Sequence, residues 1–219
     1  MSIDDPIRRA ARFDTATLSD ALDKLGITGQ CLGIKPRDPA FRMTGRAHTL
    51  LYRPAGIEPG TVGDYIDDIE PGSVLALDNG GREDATVWGD ILTLVAHRRG
   101  IAGTVIDGAC RDVDLCMKLG YPVFSRSYSM RTGKDRVQLD AANVAVNIGN
   151  ARVRPGDILC GDADGVIVIP RDVEEDVLQT AEHIDGAEKR IRDAVRNGVR
   201  LDEARRANRY HALQTHEGR

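Results

Sequence analysis

Residues 102–125 constrain the fold more than any other stretch of the chain. An apolar run at 102–106 is followed by Asp107-Gly108-Ala109-Cys110, then by Val113, Cys116 and Leu119 at helical intervals, a stop at Gly120, and a second apolar run at 121–125. Two buried strands separated by one helix make a β-α-β crossover, and a crossover of that length joins parallel strands, since antiparallel partners need only a tight turn. A parallel sheet is covered on both faces, so the rest of the chain has to supply further helices. The fold class expected is therefore α/β.

The remaining pattern agrees. Leu18, Leu22 and Leu25 recur at helical spacing before Gly26, and 46–52 and 73–77 read as strands around a short helix at 61–69. Asp78-Asn79-Gly80-Gly81-Arg82-Glu83-Asp84 reads as turn chemistry, with a helix after it through Ile91, Leu92, Leu94 and Val95 to Arg98-Arg99-Gly100. Beyond 125 the character changes to short strands at 137–139, 144–148, 157–160 and 165–169, a β-rich second layer. From Asp172, Val173, Val177, Ala181, Ile184, Ala187 and Ile191 keep helical intervals along a charged C-terminal helix. With 219 residues, 41% of them hydrophobic, one core is the expectation: a single unit at 1–199, with 200–219 as a tail or an oligomer contact.

Composition narrows the function classes. A formal net charge of -4, with both signs mixed along the chain, offers no footprint for direct nucleic-acid binding. Cys31, Cys110, Cys116 and Cys160 stand at no zinc-ligand spacing and read as buried thiols, and the five histidines are too dispersed for a dyad or a zinc cluster. No apolar run reaches membrane-spanning length and the N-terminus lacks a signal core, so a soluble cytoplasmic protein without membrane contact is expected.

The candidate site lies at the end of the first strand of the crossover, where Cys110 is followed by Arg111 and Asp112. Ligands of α/β sheets bind at the C-terminal edge of the strands. Asp is a hard oxygen ligand for Mg²⁺ or Mn²⁺, and Arg offers a planar fork to a carboxylate. The same dipeptide also reads as a helix cap with a surface ion pair. Upstream, Trp88-Gly89-Asp90-Ile91-Leu92 opens another helix, whose free amides suit an anion, while Asp90 alone reads equally as a first-turn acid. Trp88 fits a core aromatic better than a pocket wall.

Asp90, twenty intervening residues, then Arg111-Asp112 resembles the signature of the 4-hydroxy-4-methyl-2-oxoglutarate/4-carboxy-4-hydroxy-2-oxoadipate aldolases and their RraA-like relatives. Leu18-Ser19-Asp20-Ala21-Leu22, Val105-Ile106-Asp107-Gly108-Ala109, Gly120-Tyr121-Pro122-Val123-Phe124, Val153-Arg154-Pro155-Gly156-Asp157 and Gly161-Asp162-Ala163-Asp164-Gly165-Val166 are similar to that family in the same order, covering roughly 12 to 190. The resemblance implies a swivelling β/β/α domain, assembled as a homotrimer or homohexamer. It also implies a class II pyruvate aldolase in which Asp112 ligates Mg²⁺ or Mn²⁺ and Arg111 binds the pyruvyl group. In that scheme Asp90 orients water, and Gly89 with the amides of Ile91 and Leu92 receives the carboxylate. Cleavage of a 4-hydroxy-2-oxo acid leaves charge on pyruvate that a metal and an arginine stabilise, and oxaloacetate decarboxylation develops the same charge. The sequence departs from many of these aldolases at Leu115, where they carry an acid. The basic loop with Arg126, Arg131 and Lys134 suits either a distal substrate carboxylate or a solvated hairpin. The alternative implied by the same family is a regulator that binds and inhibits ribonuclease E without lyase activity.

Overall fold

A computed structural model describes residues 5–57, 60–210 and 213. In chain order the elements are α1 (Pro6–Ala10), α2 (Thr15–Lys24), β1 (Lys35–Pro36), β2 (Met43–Pro54), β3 (Val74–Thr86), α3 (Asp90–Arg99), β4 (Gly103–Cys110), α4 (Val113–Leu119) and β5 (Val123–Tyr128). They continue with β6 (Val137–Ala142), β7 (Val146–Ile148), β8 (Ala151–Val153), β9 (Ile158–Gly161), β10 (Val166–Ile169), α5 (Glu174–Arg196) and α6 (Leu201–Ala207).

The main sheet has eight strands in the order β1-β5-β4-β3-β2-β9-β10, with β6 also on β2. β2, β3, β4 and β5 are mutually parallel, as the crossover requires. Every residue of β4 is buried, as expected for a central strand covered on both faces. β2 has the same parallel neighbour, β3, on one side and two antiparallel neighbours on the other. Met43 to Arg46 pair with β9 and Leu50 to Pro54 with β6.

Apolar side chains gather in two groups. One surrounds β2 to β5 and holds Leu50, Leu75, Leu77, Ile106 and Phe124. The other lies where α1, α2 and α5 pack on β9 and β10, and there Val177, Leu178, Ala181, Ile184, Ala187 and Ile191 of α5 form the inward stripe. Each of these larger side chains contributes about 1.5–3 kcal/mol of burial. α2 starts where Asp14 accepts from the Thr17 amide at 2.8 Å, and α3 and α4 stop at the left-handed Gly100 and Gly120. No helix among the described residues is long and apolar enough to cross a membrane.

Several boundaries differ from the sequence expectation. Residues 78–84 do not leave the sheet as a turn, because β3 runs through them. Positive φ at Gly80 and Gly81 lets the strand bend, and its register against β4 slips at Asp78/Arg82 and again at Arg82/Thr86. β4 runs past the apolar stretch at 102–106 and takes in Asp107 to Cys110 as its last four residues. The helix expected at 61–69 is a 3-10 turn at Asp64–Asp68, and α1 and β8 were not anticipated. The expected tail at 200–219 falls in part outside the described residues. Within them α6 forms, Ala204 is buried, and Leu213 joins the second apolar group.

Candidate active site

The site is assembled from two neighbouring strand-to-helix junctions, β3 into α3 and β4 into α4. Their backbones are laced together: the Arg111 amide donates to the Trp88 carbonyl at 2.9 Å and the Val87 amide to the Ala109 carbonyl at 3.4 Å. This brings Gly89-Asp90 beside Arg111-Asp112, although twenty residues lie between Asp90 and Arg111.

Asp112 occupies the N-cap position of α4 in a left-handed conformation, φ 56° and ψ 39°. A residue with a Cβ pays on the order of 1–3 kcal/mol for such a backbone. The cap reading predicts that its carboxylate would close the first turn of its own helix, and it does not. Oδ2 instead accepts from the Asp90 amide at the start of α3, at 3.1 Å, and lies 3.3 Å from Arg111 Nε. Oδ1 accepts no hydrogen bond among the described residues, and the side chain is 39% exposed. The carboxylate is thus held by the positive end of a neighbouring helix and an arginine, with one oxygen left over.

Gly89 makes this approach possible. Its backbone is extended, and a Cβ placed there would lie 2.8 Å from Asp112 Oδ2 and 3.0 Å from Arg111 Nε. In the first turn of α3, Asp90 Oδ1 accepts from the Ile91 amide at 2.8 Å, and the Leu92 amide has no intrahelical acceptor. Behind the turn, Trp88 is 2% exposed and stacks on Tyr121 with ring centroids 6.1 Å apart. Its Nε1 donates to Thr93 Oγ1 at 2.9 Å, and Thr93 Oγ1 donates to the Gly89 carbonyl at 2.8 Å. Trp88 is both a core aromatic and a wall of the site.

These residues open onto a cleft of about 400 Å³, lined on one side by Trp88, Gly89, Asp90, Ile91, Leu92 and Arg111. Val62, Gly63, Asp64, Ile66 and Asp67, with residues 132–134, line it further. Sequence reasoning had offered Lys134, with its basic loop, for a distal carboxylate or a solvated hairpin, and passed over the 62–67 segment. It is held by the Tyr52 hydroxyl, which donates to the Val62 carbonyl at 2.6 Å, a link between residues with no shared motif. Asp112 stands beside the cleft, behind Gly89. Asp114 takes no part, since it pairs with Lys118 at 2.6 Å on the exposed face of α4.

Three other aspartates of the family-like segments do structural work. Asp107 accepts from the Gly149 amide at 3.0 Å and pairs with Arg126 Nε. Asp157 receives the amides of Arg154 and Arg171 at 2.7 and 2.9 Å. Asp162 receives the Thr15 amide at 2.8 Å, the Thr15 hydroxyl at 2.6 Å and the Asp164 amide at 2.9 Å. All three are buried and their oxygens are satisfied. All four cysteines are free and buried, and burial pushes the thiols of Cys31 and Cys160 up to about 12. Burial likewise pushes His48 down.

Among the described residues no three His, Cys, Asp or Glu side chains gather as a metal-binding group. A cation at Asp112 would hold one protein carboxylate and complete its shell with water. That donor set fits hydrated Mg²⁺ or Mn²⁺, which take one or two carboxylates, and does not fit a structural zinc site of four protein ligands.

Comparison with known proteins places the fold. Residues 15–168 match the RraA-like family model, Aldolase/RraA, and the chain belongs to that family. A Halalkalibacterium halodurans protein named "Putative 4-hydroxy-4-methyl-2-oxoglutarate aldolase" is 36% identical over 177 residues, 81% of this chain and 82% of that one. Protein DlpA of Legionella pneumophila is 40% identical over 202 residues, 91% of this chain but 33% of its own length, so this chain spans about a third of that relative. Among solved structures, an uncharacterized protein from Pseudomonas syringae pv. tomato superposes with a TM-score of 0.86 at 40% identity, covering 91% and 96% of the two chains. Streptomyces coelicolor RraAS2, of the RNase ES inhibitor RraA protein family, superposes with a TM-score of 0.78 at 26% identity, covering 86% and 96%.

Proposed function

We propose that this chain is a divalent-metal-dependent carbon-carbon lyase, a class II pyruvate aldolase that cleaves 4-hydroxy-2-oxo acids to pyruvate and a second oxo compound, with oxaloacetate decarboxylation as a side reaction. The observation that carries the reading is the turn of the Asp112 carboxylate away from its own helix and onto the junction formed by Gly89, Asp90 and Arg111. A strained residue whose side chain forgoes the local cap is expected where function demands the placement.

In this reading the 2-oxo acid lies across the mouth of α3. The Leu92 amide receives its carboxylate, and the Ile91 amide joins once Asp90 swings off it. Arg111 lends positive potential to the pyruvyl oxygens as charge develops on them. Asp112 would hold Mg²⁺ or Mn²⁺, which when bound supplies Lewis-acid polarisation of the 2-oxo and carboxylate oxygens. Asp90 orients the water that takes the C4 hydroxyl proton and returns a proton to C3 after the C3–C4 bond breaks. Trp88 and Leu92 exclude bulk water from the inner wall.

Exposed Ile91, Leu94, Met117, Tyr128 and Met130 lie on and beside these junctions, which supports assembly as a homotrimer or homohexamer. Four unbridged thiols suit a cytoplasmic setting. The competing reading, a regulator that binds ribonuclease E, draws on the RraAS2 likeness and assigns no task to the Asp112 placement. The deciding experiment measures pyruvate release from 4-hydroxy-2-oxo acids and from oxaloacetate, with Mg²⁺ or Mn²⁺ and with a chelator, in the native chain and Asp112→Ala. Release that survives both chelation and the substitution overturns the proposal, and capture of ribonuclease E by a chain with no lyase activity favours the regulator.

A further inference from the structure

A file of hydrogen bonds runs from the core to the candidate site through Trp88, Thr93, Gly89, Asp90 and Asp112. The indole Nε1 of Trp88 can only donate, and it donates to Thr93 Oγ1 at 2.9 Å. The Thr93 hydroxyl proton is thereby turned the other way, onto the Gly89 carbonyl at 2.8 Å. The same carbonyl also accepts from the Thr93 amide at 3.0 Å, so one buried residue holds it twice. A threonine hydroxyl bonded to a carbonyl one turn earlier is ordinary inside a helix. This carbonyl, however, belongs to the N-cap of α3, and the peptide it is part of carries the Asp90 amide at its other end.

A trans peptide is a rigid plane whose C=O and N–H point in opposite directions. Fixing the Gly89 oxygen on Thr93 therefore fixes the direction of the Asp90 N–H, and that N–H is the one that donates to Asp112 Oδ2 at 3.1 Å. Glycine leaves the rotations on its side of the plane free, so the restraint has to come from outside the residue. Bonds accepted by the carbonyl also polarise the amide and strengthen its N–H as a donor. We propose that Thr93 is a positioning residue, which acts through the Gly89–Asp90 peptide to hold the Asp112 carboxylate with Oδ1 presented to a cation. The inference rests on the reading of Asp112 as the carboxylate that holds the metal. Groups behind a metal ligand govern affinity by about 10- to 100-fold, and the lower end applies to one that acts across an intervening peptide.

The test has two readouts, and neither needs turnover: Mn²⁺ affinity, followed by the electron-spin resonance of the free ion, and deuterium exchange of the Asp90 amide in the metal-free chain, followed by nuclear magnetic resonance. Thr93→Val keeps the shape of the side chain and removes both hydroxyl bonds, so it is expected to weaken Mn²⁺ binding about tenfold and to speed exchange at Asp90. Thr93→Ser restores the hydroxyl and is expected to bring both readouts back to within about threefold of native. Trp88→Phe removes the first donor while keeping a ring against Tyr121, and is expected to move both in the same direction by less. Thr49→Val controls for lost stability, because it deletes another buried threonine hydroxyl, one that donates to the Val144 carbonyl at 2.6 Å away from the site. It is expected to leave both readouts at their native values. Undiminished Mn²⁺ affinity or native exchange at Asp90 in Thr93→Val overturns the proposal, and so does a serine variant that restores neither or a Thr49→Val chain that loses as much. A native chain that binds no Mn²⁺, or an Asp112→Asn variant that binds it undiminished, refutes the metal reading of Asp112 instead, and the hold of Thr93 on that carboxylate then stands or falls by the Asp90 amide.

Discussion

Replacing Gly89 by alanine separates the chemistry of the junction from its stability. The new Cβ would lie 2.8 Å from Asp112 Oδ2 and 3.0 Å from Arg111 Nε, where ordinary contact begins at 3.4 Å. Both neighbours are the ends of partly exposed side chains, so they yield and the backbone stays. The carboxylate has to retreat by roughly 0.6 Å, which stretches its 3.1 Å bond from the Asp90 amide beyond hydrogen-bonding range. Losing a half-exposed charge-assisted hydrogen bond costs about 1 kcal/mol. Alanine in an extended backbone recovers about 0.4–1 kcal/mol by reducing the freedom of the unfolded chain. The two nearly cancel, and a residual of 1 kcal/mol moves the melting temperature of a chain this size by about 2–4 °C. Catalysis has no such compensation, since a displacement near 1 Å at reacting groups costs about 100-fold. Gly89→Ala is therefore expected to melt within about 4 °C of the native protein and to lose roughly 10- to 100-fold in kcat/KM for pyruvate release. Thermal denaturation and steady-state kinetics on the same preparation decide it. Unchanged kinetics would refute the close approach as a functional requirement. A collapse in stability would show that the glycine serves the fold.

Asp112→Asn should abolish metal-dependent pyruvate release and leave the melting temperature almost unchanged, because the carboxylate caps nothing in its own helix. Thr93→Val removes the acceptor of the buried Trp88 Nε1 and should cost about 1–3 kcal/mol, read by denaturant titration together with a shift in Trp88 emission. Burial pushes the Asp162 carboxyl up, but the hydroxyl and amide of Thr15 and the amide of Asp164 outweigh it and hold it below the usual range. Its stabilisation is then complete above the unfolded value of about 3.9 and is lost as pH falls through the lower folded value. The stability gap between the native chain and Asp162→Asn should be widest near neutral pH and close in acid, and a gap constant with pH would contradict the assignment. The buried thiols of Cys31 and Cys160 should resist a thiol reagent at pH 8 in the folded chain and react promptly in denaturant.

The parts of the molecule that local chemistry dictates were legible in the sequence. The helices ending at Gly100 and Gly120 follow from their apolar intervals and stop signals, and the parallel core follows from the crossover between β4 and β5. The convergence of Asp90 on Arg111 and Asp112 was legible through the family spacing. The direction of the Asp112 side chain was not, because it depends on a left-handed backbone and on a neighbouring helix outside the local pattern. Residues 78–84 misled for a related reason: a strand that bends at two glycines has the composition of a turn. Among Arg126, Arg131 and Lys134 the sequence gives no order. Their roles part only because Asp107 and Asp84, far from them in the chain, claim the first two.

The divided edge of β2 has a consequence for how the chain is made. Met43 finds its antiparallel partner at Gly161 and Arg46 finds its own at Ile158, more than a hundred residues downstream, whereas the parallel contact with β3 is available soon after Leu77 emerges. Non-local pairings of this kind are slow to form. A nascent chain that has not yet reached Ile158 leaves Met43 to Arg46 without their antiparallel partner, and those open backbone donors and acceptors are a template for any other extended segment. The interval of greatest exposure to mispairing during synthesis is then the stretch from β6 to β9, in which every residue lining the cleft is already made while the strand that completes the pairing of β2 is still missing.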